Sequence, residues 1–296
     1  MKIIKYAAID IGSNAIRMLI ANVIYNDIKS FIFKNSLIRL PIRLGEDSFT
    51  KGYISESKIN DLIDAFKSFK LIMKTHKISG FKVYGTSALR ESSNKKYIVE
   101  RVFDETKIKI EIIDGIKEAM VISKTNIFKN LDYKTYLYVD VGGGSTEFSI
   151  LFGGKRIDSI SFKIGTVRLL NKAVDNKIWH QAENWIREKT VTFKKIYLLG
   201  TGGNINKLHK VANIKDNRPI TYLKLSSIYN KLKSLTYEER IIKLGLNPDR
   251  SDVIILAAEI FLKTLQWSKA KVVYVPKMGL SDGMIRELYY NTRRSN

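Results

Sequence analysis

The segment LYVDVGGGSTEFSI at residues 137–150 contains the features that decide the fold. It reads as an apolar strand, then Asp140, one apolar residue, a turn of glycine and small polar residues, and a second apolar strand. A related segment, YAAIDIGSNAIRMLI, occupies residues 6–20, with Asp10 in the matching position 130 residues earlier. A unit repeated at that spacing favours two homologous lobes over a short-period solenoid.

Strand and helix patterns are mixed along the rest of the chain, which predicts an α/β protein. Apolar residues at helical spacing predict a helix over 55–76, and a second helix over 117–128 is expected to join the lobes. At 296 residues the chain has room for two lobes, which we place at 1–122 and 123–296. The last helix, predicted over 281–290, could pack back on the first lobe.

The composition excludes several kinds of site. The chain has no cysteine, which rules out disulfides, thiolate-bound zinc, iron–sulfur clusters and a cysteine nucleophile. The three histidines lie far apart and lack metal-ligand spacing. Any metal is therefore expected to be hard and oxygen-bound, with Mg²⁺ or Mn²⁺ ahead of zinc.

The formal net charge of +22, with a pI near 9.8, favours polyanionic partners. The lysines are scattered, and the chain is rich in Lys, Ile and Asn together, so part of this excess is compositional. No recognised nucleic-acid motif is present, and no nucleic-acid partner is expected. No apolar stretch is long enough to span a membrane, and the N-terminus does not resemble a signal peptide. We therefore expect a soluble cytoplasmic protein.

Four strands run into small, hydroxyl-bearing, glycine-rich turns, at 10–14, 85–87, 140–146 and 200–204. Successive backbone N–H groups in such turns, with Ser or Thr hydroxyls, form nests for phosphate oxygens. None of the turns matches the P-loop or the dinucleotide fingerprint. The candidate phosphate-binding residues in these turns are Asp10, Gly12, Ser13, Asn14, Gly142, Gly143, Gly144, Ser145, Gly202 and Gly203.

Carboxylates beside these turns predict a metal. Asp10 and Asp140 occupy equivalent points of the repeat, and Glu147 follows the second turn. A carboxylate next to a phosphate would repel it unless a cation lies between them, so we assign these three residues to a divalent metal. The alternative is that each Asp caps its own turn. Arg17, after the first turn, is a further phosphate contact or a structural residue of its strand.

At these residues the chain resembles the exopolyphosphatase and guanosine-pentaphosphate phosphohydrolase family (Ppx/GppA), within the acetate kinase, sugar kinase, Hsp70 and actin superfamily. The resemblance implies two ribonuclease-H-like (actin-like ATPase) lobes with a central cleft. Six ordered motifs carry it, at 10–14, 85–90, 113–119, 140–147, 200–203 and 280–287. Because the second lobe extends to residue 296, we do not expect the helical hydrolase-like domain of longer members.

The resemblance also implies residue roles. Glu118 matches the proposed catalytic base, and Arg90 matches the arginine that grips phosphate. Asp140 and Glu147 match carboxylates associated with the metal and the attacking water. Lys117 departs from the family, which usually has a glutamate there; it could lower the pKa of Glu118 or point away along the helix. Family members are often dimers, so a homodimer is expected.

Together these features predict a metal-assisted hydrolase that removes the terminal phosphoryl group of inorganic polyphosphate. A guanosine pentaphosphate 5'-phosphohydrolase is the alternative within the family. A kinase of the same superfamily would share the phosphate turns and the metal-binding Asp. A non-catalytic sensor of polyphosphate or of an alarmone nucleotide is the alternative outside enzymes.

Overall fold

The structure, a computed structural model, describes residues 2–26, 30–125 and 134–294. In chain order, the strands of these residues are β1 (Lys2–Ile11), β2 (Ile16–Tyr25), β3 (Ser30–Leu40), β4 (Gly80–Gly85), β5 (Glu111–Ile112), β6 (Thr135–Val141), β7 (Thr146–Phe152), β8 (Lys155–Phe162), β9 (Ile196–Thr201), β10 (Ile220–Thr221) and β11 (Val272–Tyr274).

The helices of the same residues are α1 (Leu44–Thr50), α2 (Glu56–Thr75), α3 (Ser87–Glu91), α4 (Lys95–Thr106), α5 (Gly115–Ser123), α6 (Thr166–Leu170), α7 (Asn176–Thr190), α8 (Gly203–Val211), α9 (Tyr222–Ser234), α10 (Tyr237–Leu244), α11 (Pro248–Ser251), α12 (Ile254–Ser268) and α13 (Leu280–Arg294). No helix of the described residues is both long and apolar enough to cross a bilayer.

The chain divides into two compact units. Unit 1 comprises Met1–Thr125 and Gly279–Asn296, and unit 2 comprises Asn126–Met278. The first boundary lies three residues beyond the expected one at 122, and α13 belongs to unit 1 rather than to the C-terminal lobe. The helix predicted over 117–128 corresponds to α5, which ends at Ser123. Residues 126–128 of that prediction lie outside the described residues.

The sheet of unit 1 has the strand order β3-β2-β1-β4-β5. Strands β1, β2 and β3 are antiparallel neighbours, whereas β4 runs parallel to β1 and β5 runs parallel to β4. This 3-2-1-4-5 order is the ribonuclease-H-like topology. It places the β1–β2 turn and the residues after β4 at the same edge of the sheet.

Helices cover both faces of this sheet, which explains why β1 is almost continuously apolar. Ala7, Ile9 and Ile11 belong to the core formed with α2, which includes Phe66 and Phe69. On the opposite face, Tyr6 donates a hydrogen bond to Thr292 of α13 at 3.0 Å. Strand β1 is therefore sandwiched between α2 and α13.

A glycine lets α13 lie directly on α5 in unit 1. A side chain at Gly283 would overlap the backbone carbonyl of Val121. Any larger residue would therefore push the two helices apart. The requirement explains the glycine of the LSDGMIRE segment at 280–287 by packing alone.

The sheet of unit 2 repeats this plan, with the order β10-β11-β9-β6-β7-β8. Strands β6, β7 and β8 are antiparallel, and β9 and β11 continue the sheet in parallel with β6. Leu137, Val139 and Val141 of β6 point into a core shared with Ile186 of α7 and Phe261 of α12. The predicted repeat is therefore a repeat of topology, with β10 added at the edge.

Candidate phosphate-binding and metal-binding sites

The hairpin turn after the first strand of each unit has the same geometry. The N–H of Gly12 donates to the carbonyl of Ala15 at 3.1 Å, and the N–H of Gly142 donates to that of Ser145 at 3.0 Å. A Cβ at either glycine would lie 3.1 Å from the carbonyl it bonds. Glycine lets each four-residue turn close tightly, so the sequence repeat is a repeat of backbone conformation.

In unit 2 the short helix α6 donates hydrogen bonds to the carbonyl groups of this turn. The carbonyl of Gly142 accepts from the N–H of Thr166 at 3.0 Å, and that of Gly143 accepts from the N–H of Val167 at 2.8 Å. The carbonyl of Gly144 accepts from Nε of Arg168 at 2.9 Å. In a trans peptide the next N–H points opposite to the carbonyl. The N–H groups of 143–145 are therefore directed away from α6, as a phosphate nest requires.

Close packing of α6 against the turn depends on Gly165. A side chain there would overlap the backbone of Gly143 and Gly144. In unit 1, Gly45 plays the matching part, since its N–H donates to the carbonyl of Ser13 at 2.8 Å. Each unit therefore supports its turn with a short helix that follows the third strand.

The two glycine-rich turns of unit 1 lie side by side. The hydroxyls of Ser13 and Ser87 are 2.9 Å apart and buried. Both the N–H and the hydroxyl of Thr86 donate to the carbonyl of Ile11, each at 3.1 Å. The predicted phosphate turns at 10–14 and 85–87 are therefore joined to each other through buried hydroxyl groups.

Asp10 forms an ion pair with a cationic side chain, that of Arg17. It lies opposite Arg17 in the β1–β2 pairing, and Nη1 of Arg17 lies 3.2 Å from its Oδ2. Burial raises the pKa of the Asp10 carboxyl, and the Arg17 guanidinium opposes that rise. Arg17 is therefore the electrostatic partner of Asp10, and the metal role of Asp10 stays a prediction.

The matching pair in unit 2 consists of two carboxylates. Asp140 lies directly opposite Glu147 in the β6–β7 pairing, where Arg17 lies opposite Asp10 in unit 1. Side chains at such directly opposed positions project from the same face about 5 Å apart at Cβ. Two like charges at that spacing repel, and a cation between them relieves the repulsion.

Neighbouring hydroxyl groups hold both carboxylates. Oε1 of the buried Glu147 accepts hydrogen bonds from Ser145 at 2.6 Å and from Ser161 at 2.9 Å. Oδ2 of Asp140 accepts from Tyr138 at 3.3 Å, and the same tyrosine hydroxyl lies 2.7 Å from that of Thr201. Donors of this kind stabilise the ionised carboxylates, which is the form that binds a metal.

Gly202 places the second turn of unit 2 against Asp140. Its φ is +104°, and a Cβ there would lie 2.9 Å from the carbonyl of Val141 and 3.1 Å from Oδ1 of Asp140. Both the backbone conformation and the space therefore require glycine. Gly203 begins α8 beside it, so the positive end of that helix dipole lies at this turn.

Asp140 and Glu147 fit a hard divalent cation, but only as a partial ligand set. No group of three or more Asp, Glu or His side chains able to hold a metal is found within 2–26, 30–125 and 134–294. Mg²⁺ is commonly bound through one or two carboxylates, with water and substrate phosphate completing the shell. The Asp140–Glu147 pair meets that requirement.

Arg90 and Glu118 are linked through the start of α5. Arg90 lies on α3, a short helix that the sequence did not predict, and its Nη1 donates to the carbonyl of Ile113 at 2.6 Å. Asp114 caps α5 by accepting from the N–H of Lys117 at 2.7 Å. Glu118 is half-buried in the first turn of that helix. Arg90 therefore braces the segment from which Glu118 projects.

Lys117 is engaged elsewhere in unit 1. Its ammonium forms an ion pair with Glu111 and lies 5.4 Å from the ring centroid of Tyr84. Of the two possibilities drawn from the sequence, this contact favours a lysine that points away from Glu118, here towards Glu111 of β5. The departure from the family pattern therefore has a structural partner of its own.

Glu287 of α13 contacts side chains of β4 and of the C-terminal end of α5. Its carboxylate accepts from Tyr84 at 2.7 Å and from Lys124 at 2.8 Å, and Nζ of Lys82 lies 3.1 Å away. Burial acts to raise the pKa of Glu287, but hydrogen bonds from Lys124, Tyr84 and Lys82 outweigh it and lower the pKa to about 2. Glu287 thus ties α13 to β4 and α5.

We expect Glu287→Gln to destabilise the protein by about 2 kcal/mol near neutral pH. Because the folded-state pKa is depressed from 4.5 to about 2, the contribution is present above pH 4.5 and is lost as the pH falls towards 2. The measurement is the free energy of unfolding at pH 7 and pH 3. Glu100→Gln, at an exposed position on α4, is the control. A Glu287→Gln deficit that is the same at both pH values would contradict this account.

Sequence reasoning missed several residues that shape these sites: Gly45, Tyr138, Ser161, Gly165, Arg168 and Thr201. One signal for two of them was present. The pairs Leu44-Gly45 and Ile164-Gly165 follow the third strand of each repeat, 120 residues apart. Extending the repeat past its first hairpin, with its spacing shortened from 130 to 120 residues, would have aligned both glycines.

Two units of ribonuclease-H-like topology, each with the same glycine-closed hairpin turn, define an actin-like ATPase class of fold. A sequence model of the Ppx/GppA phosphatase family matches residues 36–291. The chain therefore belongs to that family.

Three relatives illustrate the match. The chain is 33% identical over 287 residues to a bifunctional 3-dehydroquinate synthase/phosphatase of Fusobacterium nucleatum, covering 88% of this chain and 42% of that protein. It is 23% identical to a putative exopolyphosphatase of Haemophilus influenzae, covering 95% of this chain and 88% of that protein. A guanosine-5'-triphosphate,3'-diphosphate pyrophosphatase of Aliivibrio fischeri is also 23% identical, covering 95% of this chain and 58% of that protein. The chain thus spans less than two thirds of the length of the proteins from Fusobacterium nucleatum and Aliivibrio fischeri.

Solved structures agree on the fold. An exopolyphosphatase from Cytophaga hutchinsonii superposes with a TM-score of 0.84 at 23% identity, covering 97% of this chain and 98% of that one. A Ppx/GppA family member from Aquifex aeolicus superposes with a TM-score of 0.75 at 24% identity, covering 98% and 99%. At these identities the likeness establishes the fold alone.

Proposed function

We propose that this chain is an exopolyphosphatase that hydrolyses the terminal phosphoryl group of inorganic polyphosphate. The observation that carries the proposal is the turn at 142–145, in which the carbonyls of residues 142–144 are held from one side while the N–H groups of residues 143–145 point to the other. Such a turn recognises phosphate oxygens without reading any other part of a ligand. The paired carboxylates of Asp140 and Glu147 beside it supply a place for a cation.

Asp140 and Glu147 would hold Mg²⁺ or Mn²⁺, which when bound neutralises charge on the phosphate oxygens. The backbone N–H groups of the turns and Arg90 bind and orient the terminal phosphate. Glu118 accepts a proton from the water that attacks the terminal phosphorus. The new P–O bond forms as the bridging P–O bond breaks, releasing orthophosphate and a chain shorter by one phosphate.

Guanosine pentaphosphate is the alternative substrate, because the relative from Aliivibrio fischeri is named for that nucleotide. We rank polyphosphate first, since phosphate-binding turns and a metal suffice to recognise it. The test is orthophosphate release from polyphosphates of defined length and from the nucleotide, each with Mg²⁺ and with a chelator. Release from polyphosphate that the chelator abolishes supports the proposal. Tight binding without release would instead indicate a sensor, and phosphorylation of an acceptor by ATP would indicate a kinase.

Salt should weaken the binding of long polyphosphate more than that of short polyphosphate. A long chain meets more of the lysines that give this protein its charge of +22, and each contact releases counterions. The measurement is KM between about 50 and 200 mM salt for two chain lengths. Equal salt slopes would mean that the wider basic surface does not take part. A cytoplasmic location and a homodimer remain predictions of the same proposal.

A further inference from the structure

Unit 2 contains a cavity of about 730 Å³ at the edge of its sheet where β9 and β11 begin. Ile196 and Val272, the first residues of those strands, lie in its wall. Its volume falls within the range of about 300–1,000 Å³ that is usual for small-molecule sites. We define this space, with its lining residues, as the lysine cavity.

Five of the fourteen residues that line the lysine cavity are cations. Lys194 and Lys195 come from the α7–β9 connection, and Lys269 and Lys271 come from the α12–β11 connection. No Asp or Glu is among the lining residues. The fifth cation of the lining, Arg187, is already paired with Glu183 at 2.7 Å. The four lysines therefore carry positive charge that no lining residue balances.

The described residues outside the lining form no ion pair with these four lysines either. Within 2–26, 30–125 and 134–294, no Asp or Glu oxygen lies within 4.0 Å of any of their ammonium groups. Lys195 lies 5.1 Å from the ring centroid of Tyr197, and Lys134 lies 5.7 Å from the same ring. Cations gathered around one concave space repel each other, and a multiply charged anion relieves that repulsion.

The lysine cavity is distinct from the phosphate turns of its unit. Strand β9 begins at Ile196, in the wall of the cavity, and ends at Thr201, just before Gly202. Six residues of extended strand span about 17 Å at roughly 3.3 Å per residue. The cavity and the turn at 200–204 therefore lie at opposite edges of the sheet.

We propose that the lysine cavity is a second anion site, which binds an oligophosphate of about three phosphates. Four ammonium groups match the charge of such a chain, and the volume exceeds what a single orthophosphate needs. An inorganic oligophosphate and a nucleoside triphosphate share this chemistry. The site does not depend on hydrolysis at the phosphate turns, so it can be tested by binding alone.

The experiment is isothermal titration calorimetry of the full chain with sodium tripolyphosphate in EDTA, where hydrolysis is suppressed. Lys194→Ala/Lys271→Ala removes one exposed lysine from each connection that lines the cavity. We expect the Kd for tripolyphosphate to rise at least about tenfold in this variant. Lys224→Ala/Lys231→Ala removes the same charge from exposed positions on α9 and is expected to change the Kd less than about twofold.

Three outcomes would overturn the inference: no tripolyphosphate binding to the wild type, an unchanged Kd in the cavity variant, or an equal loss in both double variants. An equal loss would mean that overall charge, not the cavity, attracts the anion. A parallel titration with GTP distinguishes the two sources of the ligand. GTP binding as tight as tripolyphosphate binding, with the same loss in the cavity variant, supports the cavity with a nucleoside triphosphate as occupant. If GTP binds much more weakly than tripolyphosphate, the lysine cavity is supported as a site for an inorganic oligophosphate.

Discussion

Glu118→Gln is expected to reduce orthophosphate release at least about 10²-fold, because a positioned general base contributes roughly 10²–10⁴-fold. Glutamine keeps the size of the side chain and its place in the first turn of α5, but it cannot accept the proton of the attacking water. The loss should fall on kcat, while KM changes little, because the amide leaves the phosphate turns intact. The measurement is steady-state phosphate release from polyphosphate with Mg²⁺.

The control for this prediction is Glu100→Gln, a matched change at an exposed position of the same unit. It should leave turnover and thermal stability unchanged. Glu118→Gln should unfold at the wild-type temperature, which separates loss of chemistry from loss of fold. Turnover near the wild-type value in Glu118→Gln would remove this residue from the mechanism.

Gly165→Ala is expected to have the second-largest effect, because a methyl group there would overlap the backbone of Gly143 and Gly144. Backbone atoms cannot move aside as a flexible side chain can, so the turn must shift away from α6. Overpacking of this kind costs about 1–3 kcal/mol, and a displacement of about 1 Å at a reacting group can cost 10²-fold in rate. We therefore expect both lower stability and a turnover reduced by at least about tenfold.

Gly279→Ala provides the comparison, since no atom lies within 4 Å of a Cβ at that position. The two variants make the same chemical change, but only Gly165→Ala enters occupied space. Turnover and unfolding temperature should be near wild type for Gly279→Ala. If Gly165→Ala behaved like its control, the turn at 142–145 would not depend on α6 for its shape.

Much of the fold could be predicted because its signals are local. The repeated segments at 6–20 and 137–150 each carry a whole hairpin within fifteen residues, and both hairpins are present. The apolar stripe over 55–76 gave α2 to within a residue at each end. The short helices α1 and α3 were missed because five to seven residues are too few to show a helical period.

The site was predictable in its turns but not in its supports. Glycine-rich turns at the ends of adjacent strands meet because the strands pair, and this pairing brings Ser13 and Ser87 together. The contact of Arg168 with Gly144 joins residues 24 apart and follows from tertiary packing. The contrast between Asp10–Arg17 and Asp140–Glu147 could have been read from the hairpin register, since both pairs lie directly opposite.

The most direct test of the account is hydrolysis of polyphosphate in water enriched in oxygen-18, with Mg²⁺ present and mass analysis of the products. Attack of water on the terminal phosphorus predicts one oxygen-18 atom in every released orthophosphate and none in the shortened chain. Label in the shortened chain would place the attack on a different phosphorus. No orthophosphate release at all would contradict the proposed hydrolysis itself.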